Sequence, residues 1–269
     1  MEVGGRRYRG SRVNVLPLKK GIIYGPVDSR RLGKSLGINL SPVVDKLCSF
    51  NCIYCHFGWT ERLTFDVSQS SGDFPSKDEV FEAVRKGIKN FPDLDYITFS
   101  GNGEPTLHPD FKEVVIGVKS IRDEIDPGIP LAILSNSSML RKEEVREVLS
   151  FIEVKIFKLD AGTEELFQKI NKPAEGITLE RIVSYLKKEK DIVIQTVFIK
   201  GSVDNTTEEN ITNWSRRIKS ISPEKVQIYS TDRPVPEKGI EKVGREELKR
   251  ISERVERETG ISIDVFSLD

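Results

Sequence analysis
Cys48, Cys52 and Cys55 fall within eight residues, and the rest of the 269-residue chain contains no cysteine. Thiols used as small core hydrophobes scatter along a sequence; three crowded into one short segment read as metal ligands. A structural zinc asks for a fourth protein donor. The chain has two histidines: His56 adjoins Cys55, an awkward spacing for one tetrahedral site, and His108 is the remaining alternative. An iron–sulfur cluster normally takes four cysteines. With three, a [4Fe–4S] cluster would keep one iron open to a non-protein ligand, and an open position belongs to catalytic rather than structural sites. An odd cysteine count without an export signal argues against a disulfide framework. The basic N-terminus lacks the apolar stretch of a signal peptide, and no apolar run approaches the ~20 residues of a membrane span. The expectation is a soluble, cytoplasmic protein.

These ligands need a scaffold. After residue 75 the sequence alternates short β-branched runs with amphipathic stretches. Strands are predicted at Leu36–Leu40, Tyr96–Ser100, Leu131–Ser135, Val154–Leu159, Ile192–Ile199, Val226–Tyr229 and Ile261–Phe266. Ser76-Lys77-Asp78-Glu79 forms a capping box, followed by Val80, Val84 and Ile88 on one helical face. Further helices are predicted at Asp110–Arg122, Lys142–Leu149, Leu179–Lys188 and Glu208–Ser220. A last helix carries Leu248, Ile251 and Val255 and stops at Gly260. Strand–helix repetition implies parallel strands with right-handed crossovers, in a full or partial barrel or an open sheet. In either, chemistry belongs at the carboxyl ends of the strands. There the polar residues gather: Gly101-Asn102-Gly103-Glu104, Asn136-Ser137-Ser138, Asp160, Lys200-Gly201 and Ser230-Thr231-Asp232-Arg233.

The spacing C-x3-C-x2-C, with aromatic Tyr54 before the last cysteine, resembles the radical S-adenosylmethionine (SAM) superfamily over about residues 36–235. The resemblance implies a partial (β/α)6 TIM-like barrel and an enzyme that uses a [4Fe–4S] cluster and SAM. Cys48, Cys52 and Cys55 would hold three irons, and the methionine amino and carboxylate groups of SAM would chelate the fourth. The segment Gly101-Asn102-Gly103-Glu104 is similar to the family's GGE motif, which contacts the SAM amino group, with Asn102 as a departure. Asn136 and Asp160 sit where the family places polar groups facing the ribose and methionine portions. Lys158, on the same strand face as Asp160, suits either the methionine carboxylate or a salt bridge to Asp160. Gln195 and Tyr229 would line the adenine or substrate side.

Finer features, including Tyr24–Gly37 and Leu159-Asp160-Ala161-Gly162, resemble the iron–sulfur oxidoreductases grouped with wybutosine-biosynthesis enzymes, which modify a tRNA guanosine. Those enzymes use a second cluster for which this chain has no cysteines, so the expectation is a compact single-cluster relative of unassigned substrate. Its electron would come from an external ferredoxin or flavodoxin.

The formal net charge is zero, yet residues 1–34 hold nine basic and two acidic side chains. The sequence therefore divides into a basic N-terminal extension, 1–34, and a core, 35–269, ending in a helix and strand. A basic segment suits an RNA backbone or another anionic substrate, and Arg30, Arg31 and Arg233 are the candidate substrate-binding cations. Two other readings stay open: a tRNA-modifying enzyme, and a non-catalytic binding protein stabilised by a metal.

Overall fold
The computed structural model describes residues 15–267. The described residues divide into two compact units: Leu18–Ser49 with Thr64–Ile156, and Phe50–Leu63 with residues 157–267 and 15–17. In the first unit, β1 (Ile23–Ser29), β2 (Gly33–Ile38), β3 (Tyr96–Phe99) and β4 (Leu131–Ser135) lie side by side in that order. The β2–β3 and β3–β4 pairs are parallel, with Ile38 opposite Phe99 and Phe99 opposite Ile133. Helices α1 (Lys77–Asn90), α2 (Phe111–Ile125) and α3 (Glu143–Val148) supply the connections. β5 (Val154–Lys158) spans the division.

The second unit holds α4 (Glu164–Asn171), α5 (Leu179–Leu186), β6 (Ile192–Gly201), α6 (Glu208–Ile221), β7 (Lys225–Ser230), β8 (Ile240–Lys242), α7 (Arg245–Thr259) and β9 (Ile263–Phe266). β6, β7 and β9 are parallel neighbours, with Gln195 opposite Gln227 and Val197 opposite Tyr229. The predicted C-terminal helix and strand are therefore α7 and β9, and Gly260 ends α7 at φ +74°.

β6 is buried along its first eight residues. Full burial suits a strand covered on both faces, and it requires each polar residue there to find a partner. Thr196 donates to the Leu159 carbonyl at 2.7 Å. Asn205 donates to the carbonyls of Asp160 and Val197, both at 2.8 Å, and accepts from the Ile199 N–H at 2.7 Å. Trp214, fully buried on α6, donates its indole N–H to the same Leu159 carbonyl at 3.1 Å.

Two strands run against the parallel pattern, β1 on β2 and β8 on β6. β1 changes the reading of the N-terminal segment. The cut between 34 and 35, drawn from charge, falls inside β2, and residues 23–29 pair with 33–38 as an antiparallel hairpin. The strand was masked by Gly25-Pro26, which interrupts the apolar alternation, and the peptide bond between them is cis. Residues 1–14, with four of the nine basic groups, lie outside the described residues. Among the described residues no helix is long and apolar enough to cross a membrane.

The capping box at Ser76 is formed as expected: the Ser76 hydroxyl accepts from the Glu79 N–H at 3.3 Å, and the Glu79 carboxylate accepts from the Ser76 N–H at 2.8 Å. Ser76→Ala should destabilise the protein by about 1 kcal/mol, read as a lower urea midpoint at unchanged slope.

Candidate functional site
The segment carrying Cys52 and Cys55 is fixed by the end of a helix. The last carbonyls of an α-helix have no partner within it. In α4 they accept from the cysteine loop: Ile170 O from the Ile53 N–H and Asn171 O from the Asn51 N–H, each at 2.9 Å. Ile53 is fully buried with Ile170, Val197 and Ile199, and Phe50 meets Phe167 of α4 edge-on at 5.5 Å between centroids. Thr60 closes the loop, donating its hydroxyl to Phe50 O and its N–H to Asn51 Oδ1, both at 2.7 Å. Within it the Cys55 N–H donates to Cys52 O at 3.1 Å, and the Gly58 N–H to Cys55 O at 3.0 Å. Alternate residues are thus spent on anchoring, and Cys52, Tyr54 and Cys55 remain half-buried.

Asp160 is the charged centre of this unit. Its side chain is fully buried. One carboxylate oxygen accepts from Tyr54 Oη and from Asn171 Nδ2 at 2.9 Å. The other accepts from the Val197 N–H at 2.9 Å and pairs with Lys158 Nζ at 3.0 Å. Its two oxygens thus meet four protein donors, and it organises its neighbours. Of the two roles open to Lys158, the salt bridge is formed, with the ammonium 5.2 Å from the Tyr54 ring and 5.1 Å from the Tyr229 ring. Burial alone would lower the Lys158 pKa; the Asp160 carboxylate leads the effects that outweigh it and hold the ammonium above its ordinary value. Burial, then the Asp160 charge, pushes the Tyr54 phenol well up, so it stays a donor. Gln195 and Tyr229 are brought together: Tyr229 Oη lies 3.3 Å from Gln195 Oε1, and Gln195 Nε2 donates to Gln227 at 3.0 Å.

The other unit carries Cys48 and the glycine motif. Cys48 lies in a short extended stretch whose carbonyl accepts from the Thr64 N–H at 3.0 Å. Asn136 Nδ2 reaches Ser49 Oγ at 2.9 Å and Cys48 Sγ at 3.8 Å. This side-chain amide is turned onto the cysteine segment. Glu104 is nearly fully buried. Its oxygens accept from the Thr106 N–H (3.1 Å) and hydroxyl (2.6 Å), the Ser135 hydroxyl (2.8 Å) and the Asn136 N–H (2.6 Å). Burial raises its pKa and these donors act against that. Glu104 thus ties the end of β3 to the end of β4 and sets the Asn136 backbone.

The departure at Asn102 has a structural reason. Its side chain accepts from the Lys19 N–H at 2.6 Å and donates to Lys19 O at 2.9 Å and Pro42 O at 3.2 Å. It clamps the chain before β1. The flanking glycines are required by packing within the protein: a Cβ on Gly101 would sit 2.4 Å from Asn39 Oδ1, and one on Gly103 would sit 2.0 Å from Leu47 O. Arg30, exposed, and Arg31, half-buried, belong to the β1–β2 turn, while exposed Arg233 lies in the loop after β7 of the other unit.

His108 cannot complete a zinc site. Its Nδ1 accepts from the Asp110 N–H at 3.1 Å, which leaves Nε2 protonated to donate to Pro75 O at 2.8 Å. Among the described residues no three His, Cys, Asp or Glu side chains are arranged to hold a single metal ion. By type the residues fit a cluster: none of the three cysteines is in a disulfide, and within each unit a side-chain amide N–H faces a cysteine sulfur, Cys48 in one and Cys52 in the other, as suits sulfurs carrying negative charge. Sequence reasoning missed α4 and with it Asn171, which lies 3.5 Å from Cys52 Sγ. The available signal was Thr163-Glu164-Glu165, a helix N-terminus, with Pro173 just past the helix end.

Residues 46–213 match the family described as the radical SAM superfamily. The chain is 32% identical over 255 residues to a protein of Brachyspira hyodysenteriae named GTPase Obg, covering 93% of this chain and 36% of that one. It is 36% identical to a UPF0026 protein of Methanocaldococcus jannaschii (81% of this chain, 66% of that one) and 33% identical to one of Synechocystis (80% and 77%). It thus spans about a third of the first relative's length and just under two thirds of the second's. TYW1, solved with a lysine–pyruvate adduct bound, superposes with TM-score 0.61 at 17% identity over 84% of this chain and 74% of that one. Streptococcus suis SuiB bound to S-adenosylmethionine gives 0.59 at 15% identity over 87% and 47%. The mostly parallel α/β arrangement is the partial TIM-like fold of these proteins. The chain belongs to the radical SAM superfamily of enzymes. The UPF0026 proteins are among its relatives over about four fifths of its length.

Two outcomes test this geometry. Gly103→Ala should cost about 1–3 kcal/mol through overpacking against the Leu47 carbonyl, measured by urea unfolding. Burial depresses the His108 pKa below its ordinary 6.5, against the Pro75 hydrogen bond. The unfolded state then binds the extra proton first, so the stability from neutral His108 is complete above about pH 6.5 and falls as the pH drops below it. Unfolding midpoints of wild type and His108→Gln should converge as the pH falls through that range.

Proposed function
We propose that this chain is a single-cluster radical SAM enzyme, with a [4Fe–4S] cluster on Cys48, Cys52 and Cys55 and SAM on the iron that lacks a protein ligand. The carrying observation is the set of three cysteines, none of them in a disulfide, in a segment held by backbone hydrogen bonds at Asn51 and Ile53, in a chain of this superfamily. When bound, the cluster and SAM supply reductive cleavage of the sulfonium to methionine and a 5′-deoxyadenosyl radical that takes a hydrogen atom from substrate. The protein's own part is positional. Asp160 and Lys158 hold Tyr54 beside Cys52, Glu104 sets the backbone of Asn136, and Gln195 with Tyr229 offers polar groups to SAM or substrate. The half-buried glycines of the Gly101–Gly103 turn offer the candidate backbone contact for the SAM amino group. The electron comes from an external ferredoxin or flavodoxin, because one cluster leaves no internal relay.

Arg30, Arg31 and Arg233 are the candidate cations for an anionic substrate. A tRNA substrate is the second reading, supported by the charge of residues 1–34 and by fold likeness to TYW1. Its mark would be tRNA binding that weakens steeply with salt; absent or salt-insensitive binding would remove it.

The direct test is anaerobic reconstitution with iron and sulfide, reduction, and addition of SAM. Cluster absorbance and 5′-deoxyadenosine are expected from the wild type, and Cys52→Ala should lose both. A wild type that assembles a cluster but leaves SAM intact would overturn the proposed chemistry.

A further inference from the structure
Asn171 is almost fully buried at the end of α4, and its orientation follows from its neighbours. An ionised carboxylate only accepts hydrogen bonds, so Asp160 Oδ2, 2.9 Å away, must face the NH2 end of the amide. The same nitrogen lies 3.5 Å from Cys52 Sγ, with Tyr54 Oη at 3.4 Å. One N–H therefore serves Asp160 and the second points toward the sulfur. Asn171 Oδ1 is left buried without a hydrogen-bond partner among the described residues, so the amide's placement serves its nitrogen at the expense of its oxygen. Asn136 repeats the device in the other unit: its Oδ1 accepts from the Ser138 N–H at 3.0 Å, which turns Nδ2 toward Ser49 and, at 3.8 Å, Cys48 Sγ.

Hydrogen bonds to ligating sulfurs stabilise the more negative, reduced form of an iron–sulfur cluster and raise its potential. We propose that Asn171, and more weakly Asn136, are positioning residues whose amide N–H groups on the cysteine sulfurs make the cluster easier to reduce. This rests on the reading of the cysteines as cluster ligands.

The test uses full-length protein reconstituted anaerobically, with midpoint potential and pulsed EPR of the reduced cluster as readouts. Wild type should show an exchangeable-proton coupling of amide origin that disappears in Asn171→Leu. That variant's equilibrium constant for one-electron reduction should fall threefold to tenfold, the upper end corresponding to ~59 mV. Asn136→Leu should shift in the same direction by less. Tyr54→Phe removes another Asp160 donor and leaves the sulfur contact in place, so its potential should stay near wild type. Equal shifts in Tyr54→Phe and Asn171→Leu would assign the effect to the Asp160 charge and overturn the proposal. So would an unchanged potential in Asn171→Leu. If that variant takes up no iron, Asn171→Ser and the wild-type coupling decide, and a wild-type cluster without the coupling refutes the assignment. A wild type that binds no iron or sulfide refutes the cluster reading itself, which is a separate result.

Discussion
The unsatisfied carbonyls at the C-terminal end of α4 are the constraint on which the site depends. A helix end buried without partners is costly, and here the partners are backbone N–H groups of the cysteine loop, at Asn51 and Ile53. Because backbone atoms make these bonds, they fix the path of the loop whatever its side chains are. Ile53, driven into the apolar cluster with Ile170 and Val197, fixes its depth. The thiols on either side of Ile53 are then directed by the path of the chain.

A second constraint is the cost of burying Asp160. An unpaired carboxylate in the interior would shift to its neutral form or unfold its surroundings. Four donors meet this one: Lys158, Tyr54, Asn171 and the Val197 N–H. Each is thereby held in one orientation. A buried ion pair adds little net stability, and its consequence here is positional: it aligns the Tyr54 and Asn171 side chains beside Cys52. Glu104 acts similarly on Asn136 in the other unit, with neutral donors in place of a cation.

Much of this was legible in the sequence, and what was not has identifiable physical causes. The parallel strands at Tyr96, Leu131, Ile192 and Val226 and the capped helix at Ser76 follow from apolar runs and a local hydrogen-bonding pattern. The candidate residues were found because they cluster at strand ends, but residue type did not reveal which way each amide or carboxylate turns. Asn102 and Glu104 occupy motif positions and are spent on Lys19 and on Ser135. Those partners are distant in sequence, and no local pattern encodes them. α4 was missed because eight residues carry too little periodicity. β1 was missed because Gly25-Pro26 interrupts its alternation. Asn171 illustrates the limit: its amide is aimed by Asp160 and by a helix end, both set by tertiary structure.

The central claim is that three thiolates leave one iron of the cluster for SAM. Mössbauer spectroscopy of protein reconstituted with isotopically enriched iron, before and after adding SAM, tests it most directly. The account predicts a cluster in which one iron site alone changes its isomer shift on SAM addition while the other three keep theirs. A spectrum unaltered by SAM, or one with all four irons equivalent throughout, would contradict it.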